Sequence, residues 1–144
     1  MLRGYCYTVV RLDLNQAEFQ GGLPPIEVLL RGKKLYDPRD ASTIWNQNVA
    51  LAIRDYLTSE MCGVDAADLP SAEYITAANV CDEDIGGVKR YTINGDVRAD
   101  QDPRKVLETL AQSMAGAVVA TSWSISAGKY VAPVMALEQS DIVG

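Results

Sequence analysis

Apolar and polar positions alternate along this chain with different periods, and the periods predict its elements. The clearest helical period falls on Val49, Ala52, Ile53, Tyr56 and Leu57, spaced i, i+3, i+4, i+7 and i+8, which draws one apolar stripe down a helix. Asn48 precedes the stripe as an N-cap, and Gly63 is expected to stop the helix. Leu51 falls on the other side with Arg54, Asp55 and Thr58, which predicts an exposed leucine able to dock against a neighbouring domain or subunit. Before the helix, Asp37-Pro38 breaks the chain, and residues 39–48 read as a polar loop that lays Trp45 over the stripe.

Other runs follow in order. Residues 5–14 and 26–30 favour strands and predict an antiparallel pair. A second helix is expected with Ser71 as its cap and Tyr74, Ala77, Ala78 and Cys81 on one face. It ends in Asp82-Glu83-Asp84, where carboxylates oppose the helix dipole. That group reads as a solvated acidic turn in preference to a divalent-cation site. Residues 89–98 alternate cleanly, predicting a half-buried strand that runs straight through Asn94-Gly95, with Gly95 as a bulge or close-approach point.

Asp102-Pro103 opens a third helix, whose buried stripe is Leu107, Leu110, Ala111 and Met114 and whose stop is Gly116. Two strands, 117–125 and 129–137, are expected to close the chain around a Ser126-Ala127-Gly128 turn, with Pro133 marking the second as an edge. Helices flanked by antiparallel strands without βαβ alternation give an α+β fold. The expected core is Trp45, Val49, Ile53, Tyr56, Leu57, Leu107, Leu110 and Met114.

The segments Arg31-Gly32-Lys33-Lys34-Leu35-Tyr36-Asp37-Pro38, Trp45, Asn48, Ala50-Leu51 and Arg54-Asp55-Tyr56-Leu57-Thr58 resemble the tail tip attachment protein (protein J) family of lambda-like phages. The order continues through Ala77-Ala78-Asn79, Cys81-Asp82-Glu83, Arg90-Tyr91, Asn94-Gly95, Met114-Ala115-Gly116 and Gly128-Lys129-Tyr130. Val49 departs from the family, which often has proline there. The resemblance implies a structural hub at the distal end of a phage or prophage tail, joining the tail tube to the receptor-binding tip. It also implies a trimer around the channel, other tail proteins as partners, and a host receptor met through other regions. The location implied is the virion tail tip, reached from the bacterial host cytoplasm during assembly. Because that family's chains are much longer, this one reads as an excised piece: residues 1–32 would continue an upstream β domain, and 33–144 would be a hub-associated α+β domain.

Composition narrows the chemistry. The 144 residues contain no histidine, which removes Ser-His-Asp, Cys-His and histidine-base schemes together. Cys6, Cys62 and Cys81 are far apart and show no CxxC spacing, so neither a zinc set nor another cofactor is expected. Net charge is −6 and no basic stripe exists, which argues against specific nucleic-acid binding. No apolar run approaches the ~18 residues of a membrane span. A non-enzymatic, structural role is therefore expected. Two other readings stand beside it: a small-molecule-binding α+β module, and a cell-wall-degrading tail enzyme working through paired carboxylates.

Overall fold

A computed structural model describes residues 8–11, 22 and 25–130, and the chain divides into two compact units, 1–31 and 32–144. In the first unit every described residue is exposed and outside helix or strand. The strand expected over 26–30 is therefore not formed. Its β-favouring side chains have no face to bury, with Leu29 100% exposed, and β-propensity is mostly packing on a half-buried surface. The strand expected over 5–14 lies largely outside the described residues, and its described part, 8–11, forms none.

The second unit is mixed α+β, with three helices and two small antiparallel sheets among its described residues. Where a polar loop was expected, the chain makes a hairpin. Strand β1 (Lys34–Asp37) pairs with β2 (Ser42–Trp45), in the register Leu35 opposite Ile44 and Asp37 opposite Ser42. Pro38 does not simply break the chain but starts the tight connection, where fixed φ suits a turn. Ala41 completes it with φ of 58°. Trp45, expected as a lid, ends β2 at 38% exposure.

Helix α1 (Val49–Leu57) is the centre of the unit and packs against β1, α2 (Ser71–Asp82) and α3 (Pro103–Gln112). Enclosure from several directions explains the chief correction to the sequence reading. Leu51, expected on an outer face, has no exposure at all, and Ala50 beside it is equally buried. A helix that is apolar beyond one stripe is a buried helix. Val49, Ile53, Tyr56 and Leu57 are in the core as expected.

Asn48 caps α1, its side chain accepting from the amides of Ala50 and Leu51. Helix α1 stops at Leu57 with Thr58 as C-cap, well before Gly63, which instead closes a later turn onto the Ser59 carbonyl. Helix α2 buries Tyr74, Ala77, Ala78 and Cys81, the expected face, although Ser71 is its first residue and does not cap it. Helix α3 has the expected Asp102 cap and Pro103 start. Its buried residues are Val106, Leu110 and Ala111, followed by Met114, while Leu107 is only partly buried.

The last sheet pairs β3 (Ala117–Val119) with β4 (Ser124–Ser126). Its turn falls at residues 120–123, inside what alternation presents as one strand, and Ser126 belongs to a strand instead of a turn. Lys129 and Tyr130 are outside any strand; residues 131–137, with Pro133, lie outside the described residues. Gly116 does not take the left-handed conformation of a helix stop, which Ala115 supplies with φ of 48°. What requires glycine at 116 is approach: a Cβ there would overlap the Ser126 carbonyl.

The expected strand over 89–98 is also absent. Lys89 forms one bridge with Asp84, and the chain then runs past helix ends. The amides of Arg90, Tyr91 and Ile93 bond to the carbonyls of Glu83, Cys81 and Gln47 at 2.9, 3.1 and 2.9 Å. Tyr91 and Ile93 turn partly inward while Thr92 and Asn94 face out. The alternation reports the facing at 91–94 alone, since Lys89 and Val97, on the same face as Tyr91, are exposed and Arg90 is half-buried, and no strand lies alongside. Gly95 makes no close approach, with nothing within 4 Å of a Cβ built there.

Candidate functional site

The densest polar constellation joins the first hairpin to the end of α2. The turn after β1 folds back because the Asp37 carboxylate accepts from the Arg39 amide at 3.0 Å, an Asx turn. The same carboxylate takes the Arg39 guanidinium in a fork, Nε to Oδ1 at 2.9 Å and Nη2 to Oδ2 at 2.6 Å. Arg39 then reaches α2, donating to Asp82 Oδ2 at 2.7 Å and Asn79 Oδ1 at 3.2 Å. Lys89 binds the other Asp82 oxygen at 2.6 Å. One rigid guanidinium thus ties the hairpin turn to Asp82, 43 residues further along the chain, a use for which its planar donor set is suited.

A second pairing lies beside the first. Glu83 accepts from Arg90 Nε at 3.0 Å and from Lys129 Nζ at 2.9 Å. Asp84 Oδ1 takes the Gly87 amide at 3.1 Å. The acidic group at the end of α2 is therefore neither a free solvated turn nor a cation cage. Asp82 and Glu83 each meet two cations, which offsets the unfavourable helix dipole. Among the described residues no cluster of three Cys, Asp or Glu is placed to hold a metal.

These contacts set the protonation of the group. The Arg39 hydrogen bond holds Asp37 below the usual carboxylate range, and the Asp37 bond raises Arg39 further above its already high value. Burial pushes Asp82 up, but the bonds from Lys89 and Arg39 outweigh it and leave the group lowered. Lys129 and then Arg90 lower Glu83. All are fixed in their charged forms at neutral pH. None is poised to move a proton, as a general acid or base must be. The one described cysteine in the core, Cys81, is pushed up by burial, and so remains a thiol.

Of the three residues singled out for interaction, Leu51 is in the core and cannot dock. Arg54 and Asp55 lie toward β1 and are half-buried. Arg54 stacks its guanidinium 4.8 Å from the Tyr36 ring centre, a cation–π arrangement, and its Nε has no hydrogen-bond partner. Asp55 accepts from Lys33 at 2.8 Å. Both therefore tie α1 to the hairpin. Sequence reasoning missed Arg39, Asn79 and Lys89, since only the Asx-turn pattern of Asp37 is local.

Two open grooves border α2. One, of about 270 Å³, is mostly apolar and lies between Thr76, Ala77 and Val80 on α2 and Ile125 and Ala127. The other, of about 350 Å³, is lined by Thr76, Asn79, Val80, Glu83 and Lys129, whose charged members are already paired with each other. Among the described residues no helix is long and apolar enough to cross a membrane. No family model matches the chain, and no curated protein or solved structure matches it.

Proposed function

We propose that the chain is a structural part of a phage or prophage tail tip, a hub component joining the tail tube to the receptor-binding tip. The support is the ordered set of residues that resembles the protein J family, together with how those residues meet. Glu83, from Cys81-Asp82-Glu83, pairs with Arg90 of Arg90-Tyr91 and Lys129 of Gly128-Lys129-Tyr130. The Tyr91 hydroxyl donates to the Gly128 carbonyl at 2.7 Å, and the Gly128 amide to the Met114 carbonyl at 2.9 Å. Lys33 of the Arg31-to-Pro38 segment and Asp55 of the Arg54-to-Thr58 segment pair as well. Segments spread through the sequence form one packed unit, the relationship expected if the resemblance reflects a common architecture.

The chemistry favours a joint over a catalyst. Around the end of α2 the described charged groups are spent on each other, Asp82 on Arg39 and Lys89 and Glu83 on Arg90 and Lys129, in pairs that join separate segments. On this reading the partners are other tail proteins and further copies of the chain, in a ring around a channel. A net charge of −6 suits a wall past which DNA slides without binding.

The test is immunogold microscopy of purified particles from the encoding phage or lysogen, with an antibody against this protein. Label confined to the tail tip is expected. Particles that carry no label, with the protein recovered only free of them, would overturn the reading.

A further inference from the structure

Asn94-Gly95 forms neither the turn nor the bulge that such a pair suggests, and the structural joint does not use it. We infer that Asn94 is a site of spontaneous deamidation in the folded protein. The reaction needs an asparagine side chain whose carbonyl carbon can meet the amide of the next residue, and little bulk at that residue. Asn94 is exposed, in a stretch outside helix and strand. Gly95 has open space around its Cα and no Cβ to hinder attack. Among the described residues no backbone hydrogen bond holds the Gly95 amide.

Gln47 adds a chemical bias. Its Nε2 donates to Asn94 Oδ1, so the carbonyl under attack is polarised and its developing oxyanion has a donor in place. The Gly95 nitrogen, losing its proton to solvent base, forms a bond to Asn94 Cγ. The Cγ–Nδ2 bond then breaks and ammonia leaves with a proton from water. Hydrolysis of the cyclic imide by water yields aspartate or isoaspartate, with no change of oxidation state.

The other described asparagines with a following valine provide internal controls. Asn48 is fully buried with both amide atoms bonded, and Asn79 sits within α2. Val49 and Val80 follow them, and branching at Cβ crowds the attacking amide. The isoaspartate product would add a backbone methylene next to Ile93, whose amide is held by the Gln47 carbonyl at 2.9 Å.

The experiment incubates the purified protein in mildly alkaline buffer and reads asparagine-containing peptides by mass spectrometry, with an isoaspartyl methyltransferase assay for the isomer. Conversion at Asn94, with Asn48 and Asn79 unchanged, is the expected result. Gly95→Val should stop it, and circular dichroism should show that variant folded, because its side chain enters open space. Gln47→Leu should slow conversion in the folded protein and leave the rate in the urea-unfolded chain unaltered. An Asn94 amide that persists in the folded protein while the unfolded chain converts would refute the inference. A Gln47→Leu rate equal to or above the parent's would remove Gln47 from the mechanism.

Discussion

Asn48 donates through Nδ2 to the Ala78 carbonyl at 2.9 Å while its Oδ1 accepts the Ala50 and Leu51 amides at 3.1 and 3.3 Å. One fully buried side chain thus starts α1 and ties it to α2. Capping alone is worth about 1 kcal/mol, and each buried bond adds about as much. With the cap and the one further bond to Ala78, Asn48→Ala should therefore cost about 2 kcal/mol in a denaturant melt. Asn48→Asp separates the roles, since aspartate caps as well but cannot donate to Ala78. It should be clearly destabilising at neutral pH, with a buried carboxylate facing a carbonyl. A melt of Asn48→Asp that matches the parent would mean that the cap is all that matters.

Burial of Leu51 reverses the expectation for an outer-face leucine. Leu51→Ala should cost about 2–5 kcal/mol, in the same range as Ile53→Ala, because both side chains have no exposure. Urea denaturation of both variants measures the comparison. A Leu51→Ala loss below about 1 kcal/mol, the scale of surface changes, would contradict the packing around α1.

Gly116 and Gly128 lock the end of α3 to β4 and the residues after it. A Cβ at Gly116 would overlap the Ser126 carbonyl, and one at Gly128 would overlap that of Ala115. Backbone cannot yield as a flexible side chain does, so either glycine-to-alanine change should cost about 3 kcal/mol or more. Gly95→Ala is the control, since nothing lies within 4 Å. Thermal melts ranking Gly95→Ala with the other two would refute the close approach.

What could be read from sequence was what local chemistry decides. Asn48, Asp102-Pro103 and the Tyr74-Ala77-Ala78-Cys81 face are set by neighbours within two turns, and the helices stand where those signals put them. The hairpins were not legible because strands of three or four residues carry too short a pattern, and pairing defines them. Alternation over 89–98 reported facing at 91–94 alone and no ladder, since the backbone partners there are loops and helix ends. Leu51 was misplaced because a single stripe cannot show that α1 is also covered elsewhere by its neighbours. The Arg39 clasp joins side chains 43 residues apart, and no period records such a distance.

That clasp makes stability depend on acid pH. Asp37, Asp82 and Glu83 all have folded-state values below the ordinary ones of 3.8 for aspartate and 4.5 for glutamate. A depressed carboxylate contributes stability that is fully present above its unfolded value and is lost as pH falls through the folded one. Stability should therefore hold at neutral pH, begin to fall near pH ~4, and continue falling below it. Arg39→Met should lower neutral-pH stability by on the order of 2 kcal/mol. That is less than the ~3–5 kcal/mol of a fully buried broken pair, because the guanidinium retains some exposure to screening water. The same variant should lose less on acidification than the parent, since Asp37 has already lost its cation and Asp82 one of its two, keeping Lys89. Urea midpoints for both proteins between neutral and acid pH make the comparison. Parallel pH curves, offset by a constant amount, would show that Arg39 stabilises by packing its stem and that the charged contacts to Asp37 and Asp82 carry no linkage.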